Sequence, residues 1–306
     1  MRVTLVALAL ALVAGCAGSE TRDGPATLVV DVNVRGEYSF DTFTLADGRL
    51  APARLHARRV YARAGDEEPQ EGITYEEVYL REPDGTVQRL TDDRRADLAP
   101  QLLADGRVAF VSCAFPDDGG PPDCTLDAID PVRGTRRTLL DDLGVVFAGE
   151  LSPDERSFLF TPLDPRTGAP TGLFVRSVDG GAARRLVDGY GGRWSPDGER
   201  IAFVSDRDRN GRCLFHDCLG HAGELYVADA DGGNERRLTE NPEVDGVPTW
   251  SGDGEWLLLG RIPDEEADWD LYAVRADGEC ELQLTDTPRW ELGAEWHGGG
   301  HGGLSC

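Results

Sequence analysis

One string recurs along this chain. Its fullest copy is Trp194-Ser195-Pro196-Asp197-Gly198-Glu199-Arg200, running on into Ile201-Ala202-Phe203-Val204-Ser205. Degenerate copies begin at Leu102, Leu151, Trp250 and Trp296. Trp250-Ser251 and Asp253-Gly254 lead into Trp256-Leu257-Leu258-Leu259, and Ser152-Pro153-Asp154 leads into Phe158-Leu159-Phe160. The first copy reads Leu103-Ala104-Asp105-Gly106-Arg107, then Val108-Ala109-Phe110-Val111-Ser112. The copies are spaced by 49, 43, 56 and 46 residues. A period of that size with strand-like patterning points to the blades of a β-propeller.

Each copy has the same internal logic. Pro196 presets φ for the second position of a turn, and Gly198 suits its end. The apolar run that follows is rich in β-branched and aromatic residues and too short for a typical helix. A second element comes after it: Glu224-Leu225-Tyr226-Val227-Ala228-Asp229, a turn at Asp231-Gly232-Gly233, then Arg236-Arg237-Leu238-Thr239. This predicts a hairpin with positive φ at its tip. Related hairpins end at Leu90-Thr91, Leu139, Leu186 and Leu284-Thr285. One period thus holds four strands, whose partly apolar faces must pack on the next sheet. Trp194, Trp250 and Trp296 recur at one point of the repeat and are expected as wedges between neighbouring blades.

The motif Trp-Ser-Pro-Asp-Gly, followed by Ile-Ala-Phe-Val-Ser, Leu-Tyr-Val and Arg-Arg-Leu-Thr, resembles the repeat of the TolB-type, WD40-like propeller family. The resemblance covers roughly residues 76–296 and is strongest over 190–286. It implies an all-β fold of six four-stranded blades. The first five would use inner strands near Leu45, Leu102, Leu151, Trp194 and Trp250. Leu45-Ala46-Asp47-Gly48-Arg49 repeats Leu103-Ala104-Asp105-Gly106-Arg107 and so counts as a blade start. The sixth blade would pair the strand at Trp296 with the N-terminal strand Thr27–Val34, closing the ring.

The first fifteen residues are set apart from the fold. Arg2 gives a positive start, and Val3 to Val13 is an apolar run, too short to span a bilayer as a stable anchor. Leu12-Val13-Ala14-Gly15-Cys16 resembles a bacterial lipobox, which implies cleavage before Cys16 and a lipidated thiol. Residues 16–26 then read as a flexible tether and 27–306 as a single propeller domain. The expected location is the cell envelope, anchored to the bacterial membrane by lipid alone. Net charge is −25 with 56 acidic against 31 basic residues, and no residue is lysine. That balance argues against nucleic acid, whose phosphates require a basic patch.

Six cysteines follow Cys16, and six allow fifteen connectivities. Export makes disulfides reasonable, and nearness in sequence suggests Cys113 with Cys124, Cys213 with Cys218, and Cys280 with Cys306. The last pair would pin the C-terminal tail to the propeller.

Candidate ligand sites are few. Asp206, Asp208 and Asn210, with Asp217 at the twelfth position, have the spacing of a calcium loop. Strands rather than helices flank them, so the expectation is a plain turn and no cofactor. Cys213, His216, Cys218 and His221 have the ligand types of a zinc site, but the spacing is crowded and the compartment favours disulfides. His297 and His301 can bind metals adventitiously, in a tail expected to be disordered. No Gly-x-Ser-x-Gly nucleophile elbow occurs. The expected function is therefore binding, not catalysis: a monomeric scaffold for an envelope protein, peptide or glycan. The competing class is a propeller lyase or hydrolase acting on carbohydrate or peptide through the central channel.

Overall fold

The computed structural model describes residues 26–306 apart from 35–36, 56, 65–74, 117–119, 121, 210–212, 215–219, 222, 263–267 and 299. The described residues contain strands and turns and no α-helix. In chain order, β1 (Ala26–Val34), β2 (Glu37–Ala46) and β3 (Arg49–Pro52) come first. Then come β4 (Arg59–Ala64), β5 (Glu76–Arg81) and β6 (Val87–Arg89). The third set is β7 (Arg95–Leu102), β8 (Val108–Ala114), β9 (Asp123–Ile129) and β10 (Arg136–Leu140). The fourth is β11 (Val146–Leu151), β12 (Ser157–Pro162), β13 (Leu173–Ser177) and β14 (Arg184–Val187). The fifth is β15 (Tyr190–Trp194), β16 (Arg200–Ser205), β19 (Glu224–Asp229) and β20 (Arg236–Arg237), with a small hairpin, β17 (Cys213–Leu214) and β18 (Gly220–His221), between β16 and β19. Last are β21 (Val244–Asp245), β22 (Thr249–Trp250), β23 (Trp256–Ile262), β24 (Asp270–Arg275), β25 (Glu281–Gln283) and β26 (Trp290–His297).

These strands form six principal antiparallel sheets, the six expected blades of the propeller. The chain divides into two compact units, His56–Arg185 and the combination of Gly15–Leu55 with Leu186–Cys306. In the first unit, Val60, Val78 and Leu80 of one sheet share a core with Val108, Phe110 and Ile129 of the next. The opposite face of that middle sheet packs Val111, Leu126 and Ala128 against Leu151, Phe158 and Phe160. The second unit repeats the arrangement. Ala202, Leu225 and Val227 meet Trp250, Leu257 and Leu259, and Leu258, Leu271 and Ala273 meet Leu28, Val30 and Trp296. Trp250 acts as the expected wedge: it is 6% exposed and donates its indole N–H to the Arg193 carbonyl of the preceding sheet at 3.1 Å.

The sheet joining the chain ends has the order β26-β1-β2-β3. Leu28 pairs with Trp296 and Val30 with Ala294, as expected for Thr27–Val34. Leu28, Val29 and Val30 are all buried, so this strand is covered on both faces. One expectation fails. Leu45 does not start an inner strand; it lies in β2, opposite Ala26 and Leu50. Asp47 and Gly48 both have positive φ and form a two-residue hairpin between Ala46 and Arg49. The shared Leu-Ala-Asp-Gly-Arg string therefore serves a hairpin here and an inner turn at Leu103. The remaining blade is β4-β5-β6, with three described strands.

The repeat string has a mechanical reading. Ser152, Ser195 and Ser251 are buried, and each hydroxyl donates to the Asp two residues on, at 2.5, 2.5 and 2.6 Å. The same oxygens accept the backbone N–H of Ser157, Arg200 and Trp256, at 3.0, 2.9 and 2.9 Å. The Asp carboxylates in turn accept the N–H of Arg156, Glu199 and Glu255. Each turn thereby satisfies backbone donors that two short strands leave over. The inner strands also share an irregularity. Register shifts occur within β7, β11 and β15, and β21 and β22 are separated at Gly246-Val247-Pro248, where Pro248 has no N–H to give the ladder.

Ser195→Ala and Ser251→Ala should each lower unfolding stability by about 1–3 kcal/mol, the cost of unpaired buried donors. Urea denaturation reads this directly; an unchanged midpoint in both variants contradicts the role given to the serine.

Candidate functional site

Charged groups recur at one position of the repeat. Asp97, Asp245 and Glu291 each lie five residues before the end-of-strand residue Leu102, Trp250 or Trp296, and six after Thr91, Thr239 or Thr285. All three acids are buried, at 0, 2 and 1% exposure. Each threonine follows an outer strand and each acid lies near the start of the next inner segment, so the pair spans two neighbouring sheets.

In the second unit the contacts are complete. Thr239 Oγ1 accepts the Leu225 N–H at 2.8 Å and donates to Asp245 Oδ2 at 2.6 Å. Arg237 donates to the Thr239 carbonyl and to Glu224 Oε1, at 2.6 and 2.9 Å. Arg261 donates to Asp245 Oδ1 at 2.5 Å and holds Glu281 with a two-pronged contact at 2.6 and 2.8 Å. Its guanidinium lies 4.5 Å from the Tyr272 ring centroid. Thr285 repeats the pattern: it accepts the Leu271 N–H, and its oxygen lies 3.2 Å from Glu291 Oε2 and 3.3 Å from Asp270 Oδ1. Burial raises the carboxyl pKa of both Asp245 and Glu291 above the ordinary range.

The first unit holds the third copy. Thr91 accepts the Val78 N–H and donates to Glu77 Oε2 at 2.7 Å. Arg89 donates to the Thr91 carbonyl and pairs with Glu77 at 3.0 Å. Arg136 donates to Asp127 and Asp93 at 2.6 and 2.8 Å, and its NH2 stands 3.7 Å from Asp97 Oδ1. Burial lifts the Asp97 carboxyl to about 6, against the pull of Ser112, Arg136 and Thr91. Val146 and Gly189 take the place of the acid in the other two copies. The constant spacing Leu-Thr-x5-acid is visible in the sequence, but only the structure shows that it joins two sheets. Chemically these are hydroxyl-bridged carboxylates that lock strands together.

Of the calcium candidates in the Asp-rich turn after β16, Asp206 and Asp208 are among the described residues. Asp206 is exposed, whereas Asp208 accepts the Tyr226 hydroxyl hydrogen and lies 3.5 Å from Arg237 NH1. Burial and the Asp208 bond push the Tyr226 hydroxyl up to about 12. Asn210 and Asp217, the other calcium candidates, lie outside the described residues, as do Cys16, His216 and Cys218. The side chains of Cys213 and His221 are likewise not described.

Among the described residues two of the suggested disulfides are present, Cys113–Cys124 across β8 and β9 and Cys280–Cys306 at the tail; the third, Cys213 with Cys218, falls outside them. The expectation of a disordered terminus fails. Leu304 is 4% exposed, the Trp296 indole donates to the Gly300 carbonyl at 2.8 Å, and Gly48 N–H donates to the Gly302 carbonyl at 3.0 Å. Gly302 has φ +63°, and a Cβ there would come within 2.4 Å of Leu45. Composition alone suggested looseness; the packing of Leu304 and the disulfide override it. His297 pairs with Glu295 at 3.0 Å, and His301 Nδ1 lies 2.8 Å from Asp253 Oδ2. Asp253 and Glu255 of the Asp-Gly turn after Trp250 and His301 of the tail form the one group of three potential metal ligands among the described residues.

A carboxyl whose pKa is higher in the folded chain than in the unfolded one favours folding while protonated, and that contribution is lost as pH rises through the folded value. Wild-type stability should therefore lose on the order of 2–3 kcal/mol from Asp97 between about pH 4 and 6.5. Asp97→Asn should flatten that fall, measured as melting temperature across the range. An identical pH profile in the variant contradicts the assignment.

No family model matches the chain. Over 120 residues it is 32% identical to the Tol-Pal system protein TolB of Anaeromyxobacter dehalogenans (strain 2CP-C), covering 38% of this chain and 24% of that one. Over 67 residues it is 42% identical to an uncharacterized peptidase, YuxL, of Bacillus subtilis (strain 168), covering 22% of this chain and 8% of the peptidase. The matches thus span a quarter or less of these relatives. In structure it resembles TolB from Acinetobacter baumannii with a TM-score of 0.63 and 17% identity, over 90% of this chain and 67% of that one. The six principal sheets, with the structural likeness along 90% of the chain, identify the fold as a six-bladed β-propeller of the TolB type.

Proposed function

We propose that this protein is exported, held at a membrane by lipid on Cys16, and uses its blades as a binding module for another envelope protein. The observation that carries this reading is the fold likeness to TolB along 90% of the chain. The stretch that is 32% identical to a Tol-Pal system protein supports it. The disulfides Cys113–Cys124 and Cys280–Cys306 fit an oxidising compartment and hence export. The Leu12-Val13-Ala14-Gly15-Cys16 string supplies the anchor. The buried charged groups described above serve to join sheets, which suits a rigid platform better than a reaction centre. A match to 8% of a peptidase is too short to bring over its activity. The net charge of −25 would speed encounter with a basic partner surface and make that encounter sensitive to salt.

Two measurements test the reading. Cys16→Ser should move the protein from the membrane fraction to the soluble fraction, and a variant that stays bound after a high-salt wash overturns the anchor. Cross-linking in intact cells followed by mass spectrometry should recover an envelope protein reproducibly, with recovery falling as salt rises. Turnover of a peptide or oligosaccharide by the purified chain, with no protein cross-linked, would favour the enzymatic class instead.

A further inference from the structure

We infer that Asp253, Glu255 and His301 form a binding site for a divalent transition-metal ion, with zinc the best match to the ligand set. One ligand atom from each of the three lies within 4.8 Å of the others. His301 Nδ1 is 2.8 Å from Asp253 Oδ2; the Asp253 side chain is fully buried and that of His301 is 19% exposed. Asp253 is already oriented, because Oδ1 accepts the Ser251 hydroxyl hydrogen and the Glu255 N–H at 2.6 and 3.0 Å. Oδ2 is thereby directed at the histidine. The related turn at Ser195 supplies the same two carboxylates, Asp197 and Glu199, but among the described residues only the Asp253 turn has a histidine brought beside it.

The histidine arrives by construction. Cys306 is bonded to Cys280, Leu304 is buried, and the Leu304 N–H donates to the His301 carbonyl at 3.2 Å. With the Trp296 indole bond to the Gly300 carbonyl on the other side, these contacts hold the tail on both sides of His301, so the imidazole does not have to be ordered by the ion. One imidazole and two carboxylates suit zinc and its first-row neighbours, whereas calcium and magnesium prefer oxygen alone. Zinc bonds of about 2.0–2.1 Å place tetrahedral ligand atoms about 3.3 Å apart; here one pair stands at 2.8 Å and all three atoms lie within 4.8 Å of one another. Three protein ligands leave the fourth position to water.

Isothermal titration of the untagged, oxidised chain with zinc chloride at pH 7.5 tests this. One zinc per chain is expected, with affinity lowered at least tenfold by His301→Gln and by Glu255→Gln and unchanged by His297→Gln. Glu255 is exposed, so its variant reports on the ligand even if His301→Gln loosens the tail. Full-strength binding in either the His301 or the Glu255 variant overturns the site. Equal loss on His297→Gln, or no stoichiometric binding by the wild type, reduces the cluster to adventitious binding and overturns it as well.

Discussion

The first and last described strands hydrogen-bond to each other, and the sheet they build is where the fold is closed by non-covalent contact. β26 brings Trp296 opposite Leu28, while β2 and β3 complete the same sheet on the other side. Leu28, Val30, Leu45 and Trp296 share one core with Trp256, Leu258 and Leu271 of the preceding sheet. Without β1, that core would lose its central apolar strand and β26 would present an unpaired edge. Cys280–Cys306 and the buried Leu304 add a second hold on the same region. A disulfide of this span contributes on the order of 3 kcal/mol, mostly by restricting the unfolded chain.

Between the ends, the same few contacts are written again and again. The Ser-to-Asp turn ties an inner strand to its neighbour within a sheet, and the threonine–acid pair ties one sheet to the next. The two devices use polar groups in places where an apolar core offers no direction. Arg261, 2% exposed, balances Asp245 and Glu281 within the sheet that receives such a tie. A buried ion pair adds little net stability over an apolar substitute, but breaking one partner leaves a costly charge. That asymmetry favours keeping the whole cluster or none of it, which matches the replacement of the acid by Val146 and Gly189 in the other copies.

Much of this was legible in the sequence. The Asp-Gly turns, the apolar runs after them and the outer hairpins have local causes, so the periodicity of residues predicted sheets, wedges such as Trp250 and the closing strand. Leu45 misled because Asp-Gly serves a two-residue hairpin as well as an inner turn, and only pairing with β1 decides between them. The tail misled for a different reason. Gly298 to Gly303 with His301 reads as loose chain, yet Leu304 finds a buried place and the Gly302 backbone approaches Leu45 too closely for any side chain. The Asp253–His301 contact joins residues 48 apart in sequence, a distance that no local pattern reports.

The functional reading depends on the blades acting as a rigid platform, and rigidity depends on the pairing of the ends. Native-state hydrogen exchange measures that pairing residue by residue. Amides of Leu28 to Val30 should exchange only through global unfolding, in the same slow class as those of Leu257 to Leu259 in the neighbouring sheet. Exchange at Leu28 to Val30 that is faster than global unfolding, while Leu257 to Leu259 stay protected, would contradict the account.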